Sequence, residues 1–261
     1  MEKQVNFKLL NYLLFSVILS GCASVEYNIL TGKQHLAFIS DEKEIKLGRR
    51  LAQQVEKEFK IIKDPRIRDR VNKIGYSLVD VCDRKGLVYH FEVITAKKNK
   101  EKEEPNAFAL PGGYIYINQK LLDMLDTDDE VAAVLAHELS HIVLRHNILK
   151  LQEAIGTQAL LAILASQAPD AHTVKKIQVA LILMMLNYSK ERETEADRLG
   201  IRYMEKTGYD PRAMITVLKK LQDYQFHSPI REYHLHSHPY LDERINVIKS
   251  EIELQKNIKN D

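Results

Sequence analysis

His137-Glu138-Leu139-Ser140-His141 matches the pattern HExxH, two histidines four positions apart with a glutamate after the first. On an α-helix, positions i and i+4 lie on one face, so both imidazoles can bind a single metal ion. Glu138 is offset by one residue, which places its carboxylate beside the open coordination position where water binds in catalytic zinc sites. The pattern therefore predicts one Zn2+ per chain, bound by His137 and His141, with Glu138 as the general base.

The segment around this motif is predicted to be a helix from Thr127 to about Leu149. Thr127 and Glu130 have the spacing of a capping box, and most of the residues that follow are apolar. The alternative to a metal site is a helix with two buried histidines that hydrogen-bond to neighbours. Burial of two histidines and a glutamate without a metal would be costly, which favours the metal site.

A third ligand is expected, since catalytic zinc usually takes three protein ligands. The acidic segment Glu191-Arg192-Glu193-Thr194-Glu195-Ala196-Asp197 is the strongest candidate. Glu193 and Asp197 share one helix face, so one carboxylate can bind the metal while the other accepts the free N–H of a ligand imidazole. The alternative is a solvated, charged helix turn, and we assign Glu191 and Glu195 to it.

The remaining segments predict an α+β fold that is mostly α-helical. Apolar spacing and capping residues predict further helices at about 40–59, 64–81, 151–166, 173–200 (with a break allowed within it), 211–224 and 241–256. A β-rich segment at 87–95 predicts a strand, and residues 107–109 and 114–117 predict a hairpin around Pro111-Gly112-Gly113. We expect these strands to form a small antiparallel sheet beside the HExxH helix.

The composition is that of a globular protein with a sizeable core. The chain has 261 residues, 45% of them hydrophobic and 28% charged, with a formal net charge of +2. A nucleic-acid-binding protein usually has a stronger and clustered basic excess, so no nucleic-acid partner is predicted. Of the two cysteines, Cys82 is expected to be a small, buried apolar residue.

The N-terminal residues have the pattern of a bacterial lipoprotein signal. Lys3 and Lys8 precede a short apolar segment, Leu9 to Leu19, and Leu19-Ser20-Gly21-Cys22 resembles a lipobox. The alternative is an ordinary cleaved signal or a short membrane anchor, although the apolar segment is short for a membrane-spanning helix. We therefore expect Cys22 to be lipidated and to tether the protein to a membrane.

This pattern predicts three regions along the chain: a signal peptide at residues 1–21, a lipidated N-terminus and tether at 22–40, and a catalytic domain at 41–261. Ala23 and Ser24 follow the cysteine, with no aspartate at the second position. By resemblance to Gram-negative sorting signals, that favours the outer membrane of a bacterial envelope, facing the periplasm.

Several short motifs, in their order and spacing, resemble metallopeptidase family forty-eight, a family of gluzincins. Besides HExxH and Glu193-x-x-x-Asp197, they are Asn106-Ala107-Phe108-Ala109, Pro111-Gly112-Gly113, Ser189, and His238-Pro239 with Arg244. The resemblance extends from about residue 40 to residue 251. This chain departs from the family at Lys190, where arginine is frequent, and at Asn118-Gln119-Lys120, where glycine often occurs.

The resemblance implies a zincin fold that is inactive without metal, with Glu193 as the third ligand and Asp197 holding a ligand imidazole. It also implies that an edge strand, Asn106 to Ala109, binds an extended substrate by strand addition. Asn106 would hydrogen-bond to the substrate backbone, or it is only a turn residue after Pro105.

The resemblance further implies that His238 and Arg244 lie near the zinc and act on the transition state. His238 would donate to the oxyanion, and Arg244 would position the oxyanion or the substrate carbonyl. Two alternatives remain open at this point. The pair could belong to an exposed turn and first helical turn, or His238 could occupy the open zinc position in a resting state.

The sequence thus predicts a membrane-tethered zinc endopeptidase with polypeptide substrates, namely misfolded or misassembled envelope proteins. That substrate class follows from the resemblance and the lipobox. The alternative is a latent protease that acts mainly as a periplasmic chaperone or outer-membrane assembly factor, with assembly or protease partners there.

Overall fold

The computed structural model describes residues 24–32, 34–37, 39–98, 103–156, 160, 162–163, 175, 177–181, 188–227 and 240–260. The strands among them are β1 Ser24–Tyr27, β2 Gln34–Ala37, β3 Phe59–Ile61, β4 His90–Ala96, β5 Ala107–Leu110 and β6 Tyr114–Asn118. The helices are α1 Asp41–Glu58, α2 Pro65–Val81, α3 Gln119–Leu122, α4 Asp128–Val143, α5 His146–Ile155, α6 Lys190–Thr207, α7 Arg212–His227 and α8 Leu241–Asn260.

A four-stranded sheet in the order β3-β4-β6-β5 packs against α4. The predicted α+β fold class, mostly helical with a small sheet beside the HExxH helix, is confirmed. The prediction of a purely antiparallel sheet is wrong, because β4 pairs in parallel with β6. The connection explains the difference: β5 runs back along the sheet as its edge strand, and the turn at Gly112 and Gly113 returns the chain as β6 between β4 and β5.

The helix α4 carries the HExxH motif through the centre of the core. The Thr127 side chain caps it by accepting from the Glu130 backbone N–H at 3.2 Å, as the capping box predicts. The Glu130 carboxylate accepts from the Asp126 N–H rather than from that of Thr127. Every residue from Glu130 to Ile142 is buried, so the motif lies in an environment from which water is largely excluded.

The predicted end of this helix near residue 149 is wrong, since α4 ends at Val143 and α5 begins at His146. Arg145 interrupts the helix with a φ of 55°, in the left-handed region that non-glycine residues rarely adopt. Its buried guanidinium contacts the Glu44 carboxylate at 3.0 Å and donates to the Ile39 carbonyl. These distant partners stabilise a backbone conformation that local sequence does not predict, and the break turns His146 back toward α4.

The helix α6 packs closely against α4 because of a glycine. Gly200 faces α4, and a Cβ at this position would lie 3.0 Å from Met214 Cε and 3.4 Å from backbone atoms of Ala136 and His137. Ser189 caps α6, with its side chain accepting from the Arg192 N–H. The close approach brings the acidic first turns of α6 to the HExxH face of α4.

Other predicted elements agree with the structure in kind, and some were missed. The helices α1 and α2 begin after N-caps Ser40 and Asp64, as predicted. The short elements β3 and α3 are not among the predicted elements.

Within the segment predicted to be a tether, residues 22–40, β1 and β2 pair as an antiparallel hairpin. The other part of that prediction, Cys22 and the signal peptide, lies outside the described residues.

Cys82 is buried, as expected from its isolation in the sequence. Its thiol lies 3.8 Å from the hydroxyl of Tyr89 and packs in the main core. Among the helices that the structure describes, none is long and apolar enough to cross a membrane.

Candidate metal centre

Three buried side chains converge between α4 and α6. His137 and His141 project from α4 with their Nε2 atoms 3.1 Å apart. Glu193, in the first turn of α6, places Oε2 at 3.5 Å from His137 Nε2 and Oε1 at 3.5 Å from His141 Nε2. One ligand atom from each residue lies within 4.8 Å of the other two. The structure therefore brings together the three residues predicted to be metal ligands.

The residues present fit a divalent cation. Two imidazoles and one carboxylate form the donor set of many catalytic zinc sites. The carboxylates of Glu138, Glu193 and Asp197 are all buried, and the guanidinium of Arg244 contacts those of Glu193 and Asp197. Buried charges of one sign are costly unless they are compensated, and a bound cation would add positive charge beside these carboxylates.

Asp197 lies behind His137, one helical turn after Glu193. Its Oδ1 accepts a hydrogen bond from His137 Nδ1 at 2.8 Å, which leaves the Nε2 lone pair directed at the other two ligand residues. Burial raises the pKa of Asp197, but the charge and hydrogen bonds of Arg244 more than offset this and hold the pKa below its ordinary value. Asp197 is thus a carboxylate in the folded protein and can only accept.

Arg244 is buried, with 3% of its surface exposed, so it does not belong to an exposed helix turn. Its guanidinium donates to both oxygens of Asp197, from Nε at 2.8 Å and from Nη2 at 2.7 Å. Its Nη1 lies 2.8 Å from Glu193 Oε2. The structure therefore places Arg244 against Glu193 and Asp197, two of the acidic residues of α6.

An apolar pocket adjoins His137 and Glu138. Asn106 and Ala107 line it from the sheet, and its volume is about 50 Å³. Its apolar wall is formed by Leu121, Val134, Met214, Val217, Leu218 and Leu221. A substrate side chain in this pocket would lie beside the carboxylate predicted to be the general base.

Three residues near His141 were missed in the sequence. His141 Nδ1 lies 2.9 Å from Nδ1 of His146, and His146 Nε2 lies 3.1 Å from Oε2 of Glu195. The assignment of Glu195 to a solvated helix turn is therefore wrong, because α5 packs against that face of α6; Glu191 is exposed, as expected. A third histidine five positions after HExxH was a signal that could have been used.

Tyr188 is the other missed residue, and it covers one face of the His141 ring. The two rings stack with centroids 4.0 Å apart and an angle of 18° between them. The Tyr188 hydroxyl donates to Asn147 Oδ1 at 3.0 Å. The ammonium of Lys150 lies over the Tyr188 ring, 3.9 Å from its centroid. Burial lowers the pKa of His141 well below its ordinary value, which favours the neutral ring that binds metals.

Two predicted site residues, His238 and Cys22, lie outside the described residues. The predicted substrate-binding residues Ala107, Phe108 and Ala109 form most of β5, which is the edge strand of its sheet. Asn106 precedes this strand, and its carbonyl accepts from the Asn118 N–H at 2.9 Å. The backbone pairing with β6 thus extends one residue beyond β5, to Asn106.

Replacing His137, His141 or Glu193 by alanine is expected to remove the metal in each case, because each change leaves only two ligands. Elemental analysis of the purified protein should find about one zinc ion per wild-type chain and much less in each variant. Glu191→Ala, an exposed acidic change on the same helix, is the control and should keep the metal. If Glu193→Ala binds zinc normally, the third ligand is a different residue.

Among the described residues, a sheet whose edge strand pairs on one side only, a buried HExxH helix and a glutamate from a later helix together fit a class of metallopeptidases, the gluzincins. Comparison with known proteins agrees with the class. The model of peptidase family M48 matches residues 65–252, and the chain belongs to that family. Metal dependence is a property of the family, and this chain has a His-His-Glu cluster that could hold a metal ion.

Curated relatives are proteases of bacteria and mitochondria. The chain is 29% identical to the beta-barrel assembly-enhancing protease of Escherichia coli over 218 residues, 79% of this chain and 43% of that protein. It is 33% identical to the mitochondrial metalloendopeptidase OMA1 of Saccharomyces cerevisiae over 127 residues, 49% of this chain and 36% of that protein. It is 27% identical to the metalloprotease LoiP of Escherichia coli over 214 residues, 79% of this chain and 81% of that protein. The chain thus spans less than half the length of the first two.

Proposed function

We propose that this protein is a zinc-dependent endopeptidase with His137, His141 and Glu193 as metal ligands. The observation that carries the proposal is the buried convergence of these three side chains within 4.8 Å, with Glu138 adjacent on the same helix. Family membership supports polypeptides as substrates. An ion bound there would polarise the scissile carbonyl and acidify a water molecule.

Glu138 is the general base in this proposal. It is buried, follows His137 directly and lines the apolar pocket, so its carboxylate adjoins both the ligands and the space available to a substrate. Glu138 would take a proton from the attacking water and later deliver it to the leaving amine. The family resemblance assigns oxyanion stabilisation to His238, whereas Arg244 would orient Asp197 and Glu193.

The edge strand β5 would bind the substrate backbone. Ala107 and Ala109 pack in one hydrophobic core cluster, whereas Phe108 and Leu110 pack in the other, so the side chains point to the two faces of the sheet. Within the described residues, β5 pairs with β6 only, on one side. An extended peptide added to the other side would lie along the pocket, since Asn106 and Ala107 line it.

A proteolysis assay tests the proposed function. Protein that begins at residue 23 is incubated with unfolded casein, as purified, after removal of metal by a chelator, and after zinc is restored. Cleavage that is lost on chelation and recovered with zinc is expected. Zinc-loaded protein that binds one ion yet cleaves neither casein nor a panel of unfolded proteins would favour the second function, a latent protease that acts as a chaperone or assembly factor.

The location proposed for this activity is the bacterial envelope, at the periplasmic face of the outer membrane. The lipobox that ends at Cys22 supports it, and so does the similarity to the beta-barrel assembly-enhancing protease of Escherichia coli, whose name refers to β-barrel assembly. We propose misassembled envelope proteins as the substrate class on the same two observations.

Replacing Cys22 by serine is expected to release the protein from the membrane fraction without changing its intrinsic peptidase rate. The change removes the only thiol at the lipobox and therefore the attachment point of the acyl chains, which together hold a lipoprotein on the bilayer. Fractionation of cells after a salt wash, with immunoblotting, measures the outcome. A Cys82→Ser variant is the control and should remain with the membranes. If Cys22→Ser also remains there, another part of the chain holds the protein.

A further inference from the structure

The two ligand histidines are supported in different ways. His137 Nδ1 contacts a carboxylate directly, that of Asp197, at 2.8 Å. His141 Nδ1 instead contacts a second imidazole, that of His146, at 2.9 Å, and His146 Nε2 contacts the Glu195 carboxylate at 3.1 Å. His141 and His146 are 0% and 1% exposed, so water does not replace these contacts.

With both imidazoles neutral and Glu195 ionised, the three groups permit one consistent arrangement of protons. A carboxylate only accepts, so His146 carries a proton on Nε2 and donates it to Glu195. A neutral His146 then has a lone pair on Nδ1, which must accept a hydrogen bond across the 2.9 Å contact. His141 therefore carries its proton on Nδ1, and its Nε2 lone pair points toward Glu193 and His137.

We propose that Glu195 and His146 are positioning residues that fix the metal-binding tautomer of His141 through two consecutive hydrogen bonds. Asp197 orients His137 by a direct contact, whereas Glu195 orients His141 through the imidazole of His146, which lies between them. Because Glu195 and Asp197 lie two residues apart on α6, this one helix orients both ligand histidines and supplies the third ligand. The proposal rests on the proposed function only in taking His141 as a metal ligand.

The far end of this chain of contacts is held by the N-terminal hairpin turn. Asn28 lies between β1 and β2, and its side-chain amide donates to Glu195 Oε2 at 3.1 Å. The Asn28 side-chain carbonyl accepts from the backbone N–H groups of Leu30 and Thr31 at 2.9 and 3.1 Å. The amide orientation is therefore fixed by the turn, and it favours a Glu195 rotamer that faces His146.

Zinc affinity, measured by competition with a chromophoric chelator, tests the proposal with a matched pair of variants. His146→Gln keeps an acceptor for His141 and a donor for Glu195, whereas His146→Met has a similar size, no donor and only a weak thioether acceptor. We expect His146→Met and Glu195→Leu to weaken zinc binding by about 10–100-fold. We expect His146→Gln to remain within a few-fold of wild type, and Glu191→Leu, an exposed change on the same helix, to have no effect. Equal losses in His146→Gln and His146→Met would show a packing role only and overturn the proposal, as would wild-type affinity in His146→Met.

Long-range 1H–15N NMR of the metal-free wild-type protein tests the proposal without any variant. It reports which ring nitrogen of each histidine carries the proton. We expect His141 as the Nδ1–H tautomer and His146 as the Nε2–H tautomer, and the reverse tautomer in either ring would overturn the proposal. This result is independent of peptidase activity. If the tautomers are as expected but casein is not cleaved, the proposed function fails while the two consecutive hydrogen bonds from Glu195 to His141 stand.

Discussion

A Glu138→Gln variant is expected to lose peptide hydrolysis by at least about 10²–10⁴-fold, the usual contribution of a general acid–base group. The amide is close in size to the carboxylate but cannot take a proton from water or return it to the leaving amine. Glu138 is not among the three residues that converge as ligands, so the variant should keep its zinc. The measurements are kcat on a fluorescent casein substrate and elemental analysis of the same preparation.

A matched control is available on the same helix. Asp128 is an exposed residue in the first turn of α4, paired with Arg70, and Asp128→Asn makes the same carboxylate-to-amide change far from the motif. Exposed ion pairs contribute little to stability, so this variant should retain full activity. Loss of zinc from Glu138→Gln would contradict the division between ligands and base. A Glu138→Gln variant with the kcat of the wild type would show that Glu138 is not the general base.

An Arg244→Met variant is expected to be less stable than wild type by about 3–5 kcal/mol in the metal-free state. Methionine preserves much of the apolar volume but leaves the Asp197 and Glu193 carboxylates buried without their guanidinium. In the wild type that group makes two hydrogen bonds to Asp197 and one contact with Glu193, all between 2.7 and 2.8 Å. Urea unfolding of the chelated protein, followed by circular dichroism, measures the change.

Two further variants separate this effect from a general loss of surface charge. Arg244→Lys keeps the positive charge but cannot donate to both oxygens of Asp197 in the planar geometry of a guanidinium, so an intermediate loss is expected. Arg70→Met removes an exposed partner of Asp128 and should leave stability nearly unchanged. Saturating zinc should restore part of the stability of Arg244→Met, since a ligand that binds only the folded state stabilises it. If Arg244→Met is as stable as wild type, the carboxylates are compensated by other groups.

The predictions from sequence that agree with the structure concern interactions between residues close in the chain. The Thr127 cap of α4, the Ser40 and Asp64 caps, and the hairpin of β5 and β6 each depend on a few neighbouring residues. The fold class followed because these elements and their apolar faces were recognisable. The parallel pairing of β4 with β6 was not, since it depends on where a long connection places the strand between two others.

The errors near the site have the same origin. The end of α4 was placed too late because the left-handed conformation of Arg145 is supported by Glu44, about a hundred residues earlier in the chain. Glu195 resembles any exposed helical glutamate until α5 folds back and places His146 against it. A charge that looks solvated in the sequence can be buried by an element whose position the sequence does not reveal.

For this protein, the helical spacing of His137, Glu138 and His141 determined by itself that two imidazoles share one helix face with a carboxylate beside them, because i, i+1 and i+4 have fixed geometry on any helix. The same spacing nominated Glu193 and Asp197 as a pair on one face. Only the tertiary structure decided that Arg244 contacts those two carboxylates and that His146, beside His141, contacts Glu195, because these contacts join α6 to α8 and α5, which are distant from it in the chain. Such contacts depend on the packing of whole helices, which local spacing does not encode.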